Sequence, residues 1–147
     1  MRPRLAILLL ALAVSLTPSY AFIFGSKQRV IVRGRLLCGN QPANNVLVKL
    51  VDEDTGPDPD DEMAHTRTNA NGEFNLDGTE SEIGNIDPWL KIYHDCIDKV
   101  LLGLPCQRKW KWKIPKKYIN TKNGEGIDIG TWNLELIPRK EERDCIH

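Results

Sequence analysis

Beyond its first sixteen residues the chain has no long apolar run. The longest, Val100-Leu101-Leu102-Gly103-Leu104, is five residues, whereas a membrane-spanning helix needs about 20. There is no Asn-x-Ser/Thr sequon, so N-glycosylation is not expected. No Cys-x-x-Cys pair is present, which argues against a zinc or thioredoxin-type site. No internal repeat is visible, and no window sustains a capped 3.6-residue pattern. An excess of one charge is missing too, with 20 basic residues against 20 acidic ones. Nothing in that balance suggests a nucleic-acid partner.

What is present begins with a secretory address. Residues 1–4 are basic, residues 5–16 are small and aliphatic but for Ser15, and Ser19-Tyr20-Ala21 places small residues at the −3 and −1 positions of a signal-peptidase cut. That layout predicts a signal peptide over residues 1–21 and one extracellular domain over residues 22–147. Losing Arg2 and Arg4 would leave 18 basic against 20 acidic residues, a net charge near −2. The remaining length suits a single core rather than two. Cys38, Cys96, Cys106 and Cys145 all fall in this part. An even count in an oxidising compartment reads as two disulfides, and spacing alone leaves three connectivities open.

Period-two alternation runs through most of the domain. Val30, Val32 and Leu36 alternate with Ile31, Arg33 and Arg35, and Val46, Val48 and Leu50 with Leu47, Lys49 and Val51. Similar alternation places Phe74 and Leu76, Leu90, Ile92 and His94, Trp110, Trp112 and Ile114, and Trp132, Leu134 and Leu136 on inward faces. The opposite faces are expected in water. Turn signals separate the runs, among them Gly39-Asn40-Gln41-Pro42, Asn71-Gly72 and Asn123-Gly124. One helical turn is expected between Ile114 and Asn120, beginning at Pro115. The pattern predicts an all-β antiparallel sandwich of about seven short strands.

Several motifs in a definite order resemble a known family. They are Val32-x-Gly34-x-Leu36-x-Cys38 with Pro42-Ala43 and Val46-x-Val48-x-Leu50, the acidic stretch from Asp52 to Asp61, Thr68-Asn69-Ala70-Asn71-Gly72-Glu73-Phe74, Ile92-Tyr93-His94-Asp95-Cys96, Cys106-Gln107-Arg108-Lys109 and Arg143-Asp144-Cys145-Ile146-His147. Together they resemble the nematode transthyretin-like family of small secreted proteins. The resemblance implies a transthyretin-like sandwich with no catalytic activity assigned. It also implies a first strand parallel to one expected over residues 128–137. From that arrangement come the expected bridges Cys38–Cys145 and Cys96–Cys106.

The same fold serves a 5-hydroxyisourate hydrolase, which places a His on its first strand, an Arg after a Thr-x-x-Asp/Asn-Gly turn and a Tyr-Arg-Gly-Ser ending. The matching positions here hold Arg33, Glu73 and Cys145-Ile146-His147. Glu73 reverses the charge where an anionic substrate would bind, so no catalytic residue is expected. His65, His94 and His147 have no nearby Ser-containing elbow. His94 shares the inward phase of Ile92 and reads as a hydrogen-bonded structural histidine. His147 is terminal and expected to be mobile.

Two surface features are the candidate contacts. Asp52, Asp54, Asp58, Asp60 and Asp61 crowd one loop; oxygen clusters attract calcium, but the spacing is not that of an EF-hand. A solvated loop, or contact with a basic partner, is the plainer reading, and no metal or cofactor is expected. The second feature is Lys109, Lys111 and Lys113, alternating outward on one strand and followed by Lys116 and Lys117. Such a stripe blocks edge aggregation or meets an acidic protein or anionic lipid headgroups. Leu101 and Leu102 lie close by in sequence, a tip suited to a peripheral membrane contact. The expected function is that of a secreted, non-catalytic binding module recognising a protein or cell surface. The alternatives are a carrier of a small hydrophobic ligand, which would require a stable oligomer, and a phospholipid-binding bridging protein. The sequence leaves the oligomeric state open.

Overall fold

The computed structural model describes residues 25–53, 59–98 and 106–147. The expected leader, Asp54, Asp58, Leu101 and Leu102 lie outside these residues. The described chain folds into two β-sheets packed face to face, the all-β sandwich that the alternation predicts.

Sheet A is built on β1 (Ser26–Cys38), which pairs antiparallel with β5 (Glu73–Glu82) and turns back into the short β2 (Gln41–Pro42). Its other edge pairs parallel with β8 (Ile127–Asn133), the arrangement the family resemblance implies. Sheet B runs β4 (Asp61–Arg67), β3 (Leu47–Asp52), β6 (Pro88–His94), β7 (Gln107–Lys113) and β9 (Glu142–Asp144), all antiparallel. The turn expected after Ile114 is a single 3-10 turn over Lys116–Tyr118, with Pro115 as its N-cap.

The inward phase of the alternation forms the core. Val30, Val32, Leu36, Phe74 and Leu76 of sheet A meet Val48, Leu50, Leu90, Ile92 and Trp110 of sheet B, with Ile86, Ile114 and Leu134 sealing the rims. Burying a side chain of this kind stabilises the fold by about 1.5–3 kcal/mol. Gly34 matters because β8 crosses directly over it: a Cβ there would stand 2.5 Å from Ile129 Cγ1. Gly72 ends the β4–β5 turn at φ +75°, where a residue with a Cβ is strained. Asn69 Oδ1 braces that turn by accepting the N–H groups of Asn71 and Glu73.

Three sequence expectations need correction. Strand β4 was not anticipated: its segment, Asp-Glu-Met-Ala-His-Thr-Arg, has no apolar alternation because an edge strand is partly exposed on both faces. Strand β8 ends at Asn133 rather than continuing to residue 137. Trp132 is therefore 39% exposed and Leu136 55%, while Leu134 alone of that run is fully enclosed. Finally, the outward face of sheet B is not simply wet. Leu47, Val51, Lys91 and Tyr93 occupy the outward phase and are buried. Long lysine stems can cover apolar surface while their charged ends reach polar partners.

Candidate functional site

Alternation along β7 sends Trp110 into the core and Lys109, Lys111 and Lys113 outward, as the spacing requires. None of the three ammonium groups stands free. Lys109 Nζ lies 2.8 Å from Glu142 and 3.3 Å from Asp144 on the covering strand β9. Lys113 Nζ lies 2.7 Å from Asp87. Lys111 pairs with Glu53 and sits 4.5 Å from the centre of the Trp89 ring. The sheet register extends the pattern: Lys49, Lys91 and Lys111 are direct cross-strand neighbours on β3, β6 and β7. Lys91 pairs with Asp60, and Lys49 lies 2.7 Å from Glu62, which also meets His65 Nδ1 at 2.5 Å.

The acidic stretch and the basic strand, separate candidates in the sequence, therefore meet at a single pair among the described residues. Asp60 faces Lys91, and Glu53, next to Asp52, faces Lys111. Asp52 itself is buried at the end of β3, where its Oδ1 accepts the Asp87 N–H at 2.6 Å. Asp61 is exposed in β4. Among the described residues no group of three metal-ligating side chains forms. Lys116 and Lys117 are exposed on the 3-10 turn, with Lys117 Nζ 5.1 Å above the Tyr118 ring. His147, expected to be mobile, stacks on Tyr93 with ring centres 4.7 Å apart.

The disulfide pairing differs from the one the resemblance implied. Cys38 bonds Cys96, and Cys106 bonds Cys145. The expected pairing assumed that the C-terminus stays beside β1 after β8. Instead the chain leaves sheet A at Asn133 and crosses to sheet B, where β9 pairs with β7 and sets Asp144 opposite Gln107. Cys145 thus reaches Cys106. Cys38, at the end of β1, meets Cys96 just past the end of β6, so one bridge ties the two sheets together and the other ties the C-terminus to β7.

Between these bridges lies a polar centre that sequence reasoning missed. Arg108 is buried, and all five of its N–H donors are used. Nε and Nη2 grip Glu141 at 2.8 and 2.6 Å. Nη1 donates to the carbonyls of Cys96 and Leu134, and Nη2 to that of Leu136, at 2.8–2.9 Å. Trp110 Nε1 also donates to Glu141 at 2.9 Å. The Arg108 hydrogen bond holds the Glu141 carboxyl below the usual range even though burial opposes ionisation. The signal available in the sequence was Arg108 in the inward phase of Trp110, a position that a charged residue occupies only when fully partnered.

His94, on the neighbouring strand, is 2% exposed. Its Nδ1 accepts the Cys96 N–H at 3.3 Å, which places the neutral ring's proton on Nε2. Burial, aided by the Arg108 charge, lowers its pKa from 6.5 to about 4. The expectation of a structural histidine is met: the ring packs edge-on to Trp110.

This centre also anchors chain segments that carry exposed apolar side chains. The carbonyls of Cys96 and Leu136 both accept from one guanidinium, which fixes the backbone just before Ile97 and Ile137. Arg143 ties the C-terminal segment to Asp98, with both nitrogens at 2.7 Å. Ile97, Leu136, Ile137 and Ile146 are all exposed, Ile137 at 74%.

On the opposite sheet, Arg33 and Glu73 line a shared open groove of about 560 Å³ with Arg35, Asn75, Asp128 and Thr131. Arg33 Nε donates to Asp128 at 3.1 Å. These are two of the three positions at which the related hydrolase carries its chemistry. The third, the C-terminal tripeptide, is anchored on sheet B by Cys145 and His147. The C-terminal tripeptide therefore does not line the groove that Arg33 and Glu73 share.

A model of the Transthyretin-like family matches residues 33–115. Transthyretin-like protein 5 of Caenorhabditis elegans is 49% identical over 143 residues, covering 96% of this chain and 98% of that protein. Transthyretin-like protein 46 of the same organism is 50% identical over 121 residues, spanning 81% of this chain and 66% of the relative. Among solved structures, a 9R-lipoxygenase from Cyanothece PCC8801 aligns over 90% of this chain and 21% of its own, at 18% identity and a TM-score of 0.44. That likeness is too loose to carry an argument.

Proposed function

This chain belongs to the Transthyretin-like family, and from that premise we propose that it is a secreted, non-catalytic binding module that recognises an extracellular protein or cell surface. The observation behind this reading is a set of exposed apolar side chains on segments held by the disulfides and Arg108. They are Ile97, Leu136, Ile137 and Ile146. Apolar side chains held on a rigid base lose little conformational freedom on docking, which favours recognition by contact. Carriage of a hydrophobic ligand finds less support, since the groove on sheet A is open and carries Arg33, Arg35, Glu73 and Asp128 in its lining. The anionic-lipid reading draws less support from Lys109, Lys111 and Lys113, each paired with a carboxylate, than from Lys116 and Lys117, which are exposed.

Capture from extracellular fluid with the oxidised domain tests the proposal. A variant carrying Leu136→Ser, Ile137→Ser and Ile146→Ser should lose partners that the parent protein retains. A control, Ile83→Ser, removes an equally exposed apolar side chain elsewhere and should keep them. Equal capture by all three proteins would overturn the assignment of these side chains.

A further inference from the structure

We propose that Asn123 is a site of covalent modification: its side-chain amide is lost to water through a cyclic imide closed with Gly124, while the fold protects the same dipeptide at Asn71-Gly72. The reaction lies on a loop that the binding reading does not use, and its test is independent of that reading.

The chain carries Asn-Gly twice, at 71–72 and 123–124. In such a pair the Gly nitrogen can attack the Asn side-chain carbonyl carbon, because a residue without a Cβ leaves that nitrogen open to close approach. The N–Cγ bond forms as the Cγ–Nδ2 bond breaks, and the proton of the Gly N–H leaves with Nδ2 as ammonia. Water then adds to either carbonyl of the imide. One opening gives aspartate; the other gives an isoaspartyl linkage, which adds a methylene to the main chain. Ring closure requires the peptide plane between the two residues to turn, and there the two sites differ.

At Asn71-Gly72 both polar groups of that plane are held. Arg35 Nε donates to the Asn71 carbonyl at 2.8 Å, and the Gly72 N–H donates to the Asn69 carbonyl at 2.9 Å. The Gly72 carbonyl in turn accepts the Leu36 N–H at 2.8 Å. Gly72 is buried, and Leu36 O lies 2.2 Å from where a Cβ on it would stand. At Asn123-Gly124 both residues are exposed, at φ +63° and +68°. The nearest atoms to a Cβ on Gly124 are Arg29 Nη1 at 3.8 Å and Ile31 Cδ1 at 4.0 Å, so the plane has room to turn. The Glu125 N–H to Lys122 O bond across this turn is stretched to 3.5 Å. Asn120, by contrast, is pinned to β1, where it accepts the Arg29 N–H and donates its own N–H to Arg29 O, each at 2.8 Å. The loop tip can therefore react while its root stays attached to β1.

The test holds the oxidised protein in warm, mildly alkaline buffer and follows both dipeptides by peptide mapping with mass spectrometry. Asn123 should be converted at least about tenfold faster than Asn71, and both aspartate and isoaspartate should form, the mark of an imide. In urea with the disulfides reduced, the two rates should converge, that of Asn71 rising and that of Asn123 staying nearly unchanged. Arg35→Ala, a change at an exposed side chain, frees the Asn71 carbonyl and should speed conversion there without altering Asn123. Comparable rates at the two sites in the folded protein would overturn the proposal, as would faster conversion of Asn71. So would an Asn123 rate that rises in urea as much as that of Asn71, since the folded loop would then protect it too. An unchanged Asn71 rate in the folded Arg35→Ala variant would overturn the clamp. If that variant does not fold, the ratio of folded to unfolded rates in the parent protein decides.

Discussion

At the disulfide end of the sandwich, Arg108 is enclosed with Glu141 and spends every donor on an acceptor held in place by the fold. Three residues further along the same strand, Lys111 meets Glu53 on the outer face of sheet B, where water competes for both groups. Both are ion pairs of β7, yet their loss has different consequences. Removing Arg108 leaves a carboxylate and three carbonyls without their partner in a site water scarcely reaches. Removing Lys111 leaves a carboxylate that water can solvate. Charge type is the same; the number of fixed partners and the access of solvent decide whether a pair holds the fold together or merely decorates it.

The largest effect should come from the covalent ties of the buried end. The bridges span 58 and 39 residues, and the chain-entropy estimate gives about 4 kcal/mol for each. Full reduction should therefore remove an amount comparable to the whole stability of a small domain. Thermal melting with and without reductant measures this, and an unchanged transition would mean that the Arg108 centre holds that end unaided. Partial reduction with subsequent peptide mapping should find Cys106–Cys145 opened first, because Cys145 is exposed whereas Cys96 is buried.

Next in size is Arg108→Ala, expected to cost about 3–5 kcal/mol, the range for breaking a buried pair from one side. Arg108→Lys should recover only part of this, since an ammonium cannot reproduce five donors in one plane. Denaturant melts of both variants give the values. A loss below about 1 kcal/mol for alanine would erase the contrast with the outer face.

A smaller effect should accompany acidification. In the unfolded chain the His94 imidazole takes up a proton near pH 6.5, but in the folded domain only near pH 4. Between these values the unfolded state binds more protons, so stability falls as the pH falls, by roughly 3 kcal/mol across the window. His94→Asn, whose side-chain oxygen can still accept the Cys96 N–H, should flatten stability between about pH 6.5 and about pH 4.5. The same pH slope in both proteins would assign the effect to other groups. Smallest of all should be Lys111→Gln, with a change within about 1 kcal/mol at neutral pH. A greater loss would show that the outer face is as tightly determined as the Arg108 centre.

Much of the sandwich was legible because alternation is a local property. Val30, Val32, Val48, Leu50, Leu90 and Ile92 declared their inward faces without reference to any other strand. His94 was legible for the same reason. Strand β4 was not, because an edge strand carries no apolar signature, and Trp132 misled because an edge strand that stops early leaves an aromatic at the rim. The lysine stripe was legible as outward, but its carboxylate partners were not. Asp144 lies 35 positions from Lys109 and Glu53 lies 58 from Lys111, and only strand order brings these partners close.

The amino-acid sequence by itself determined the class of fold and the phase of most strands, since a period of two puts alternate side chains on opposite faces whatever the strand later pairs with. It also determined that four cysteines would be available for two bridges. Tertiary structure alone decided which cysteines meet, because that depends on the C-terminus crossing from β8 to β7. It likewise decided that Arg108 is a buried centre and that Lys109, Lys111 and Lys113 each find a carboxylate from a distant segment. The physical reason is one of range: steric and hydrophobic phasing act within a few residues, whereas a charge or a thiol finds its partner only after distant segments have been laid side by side.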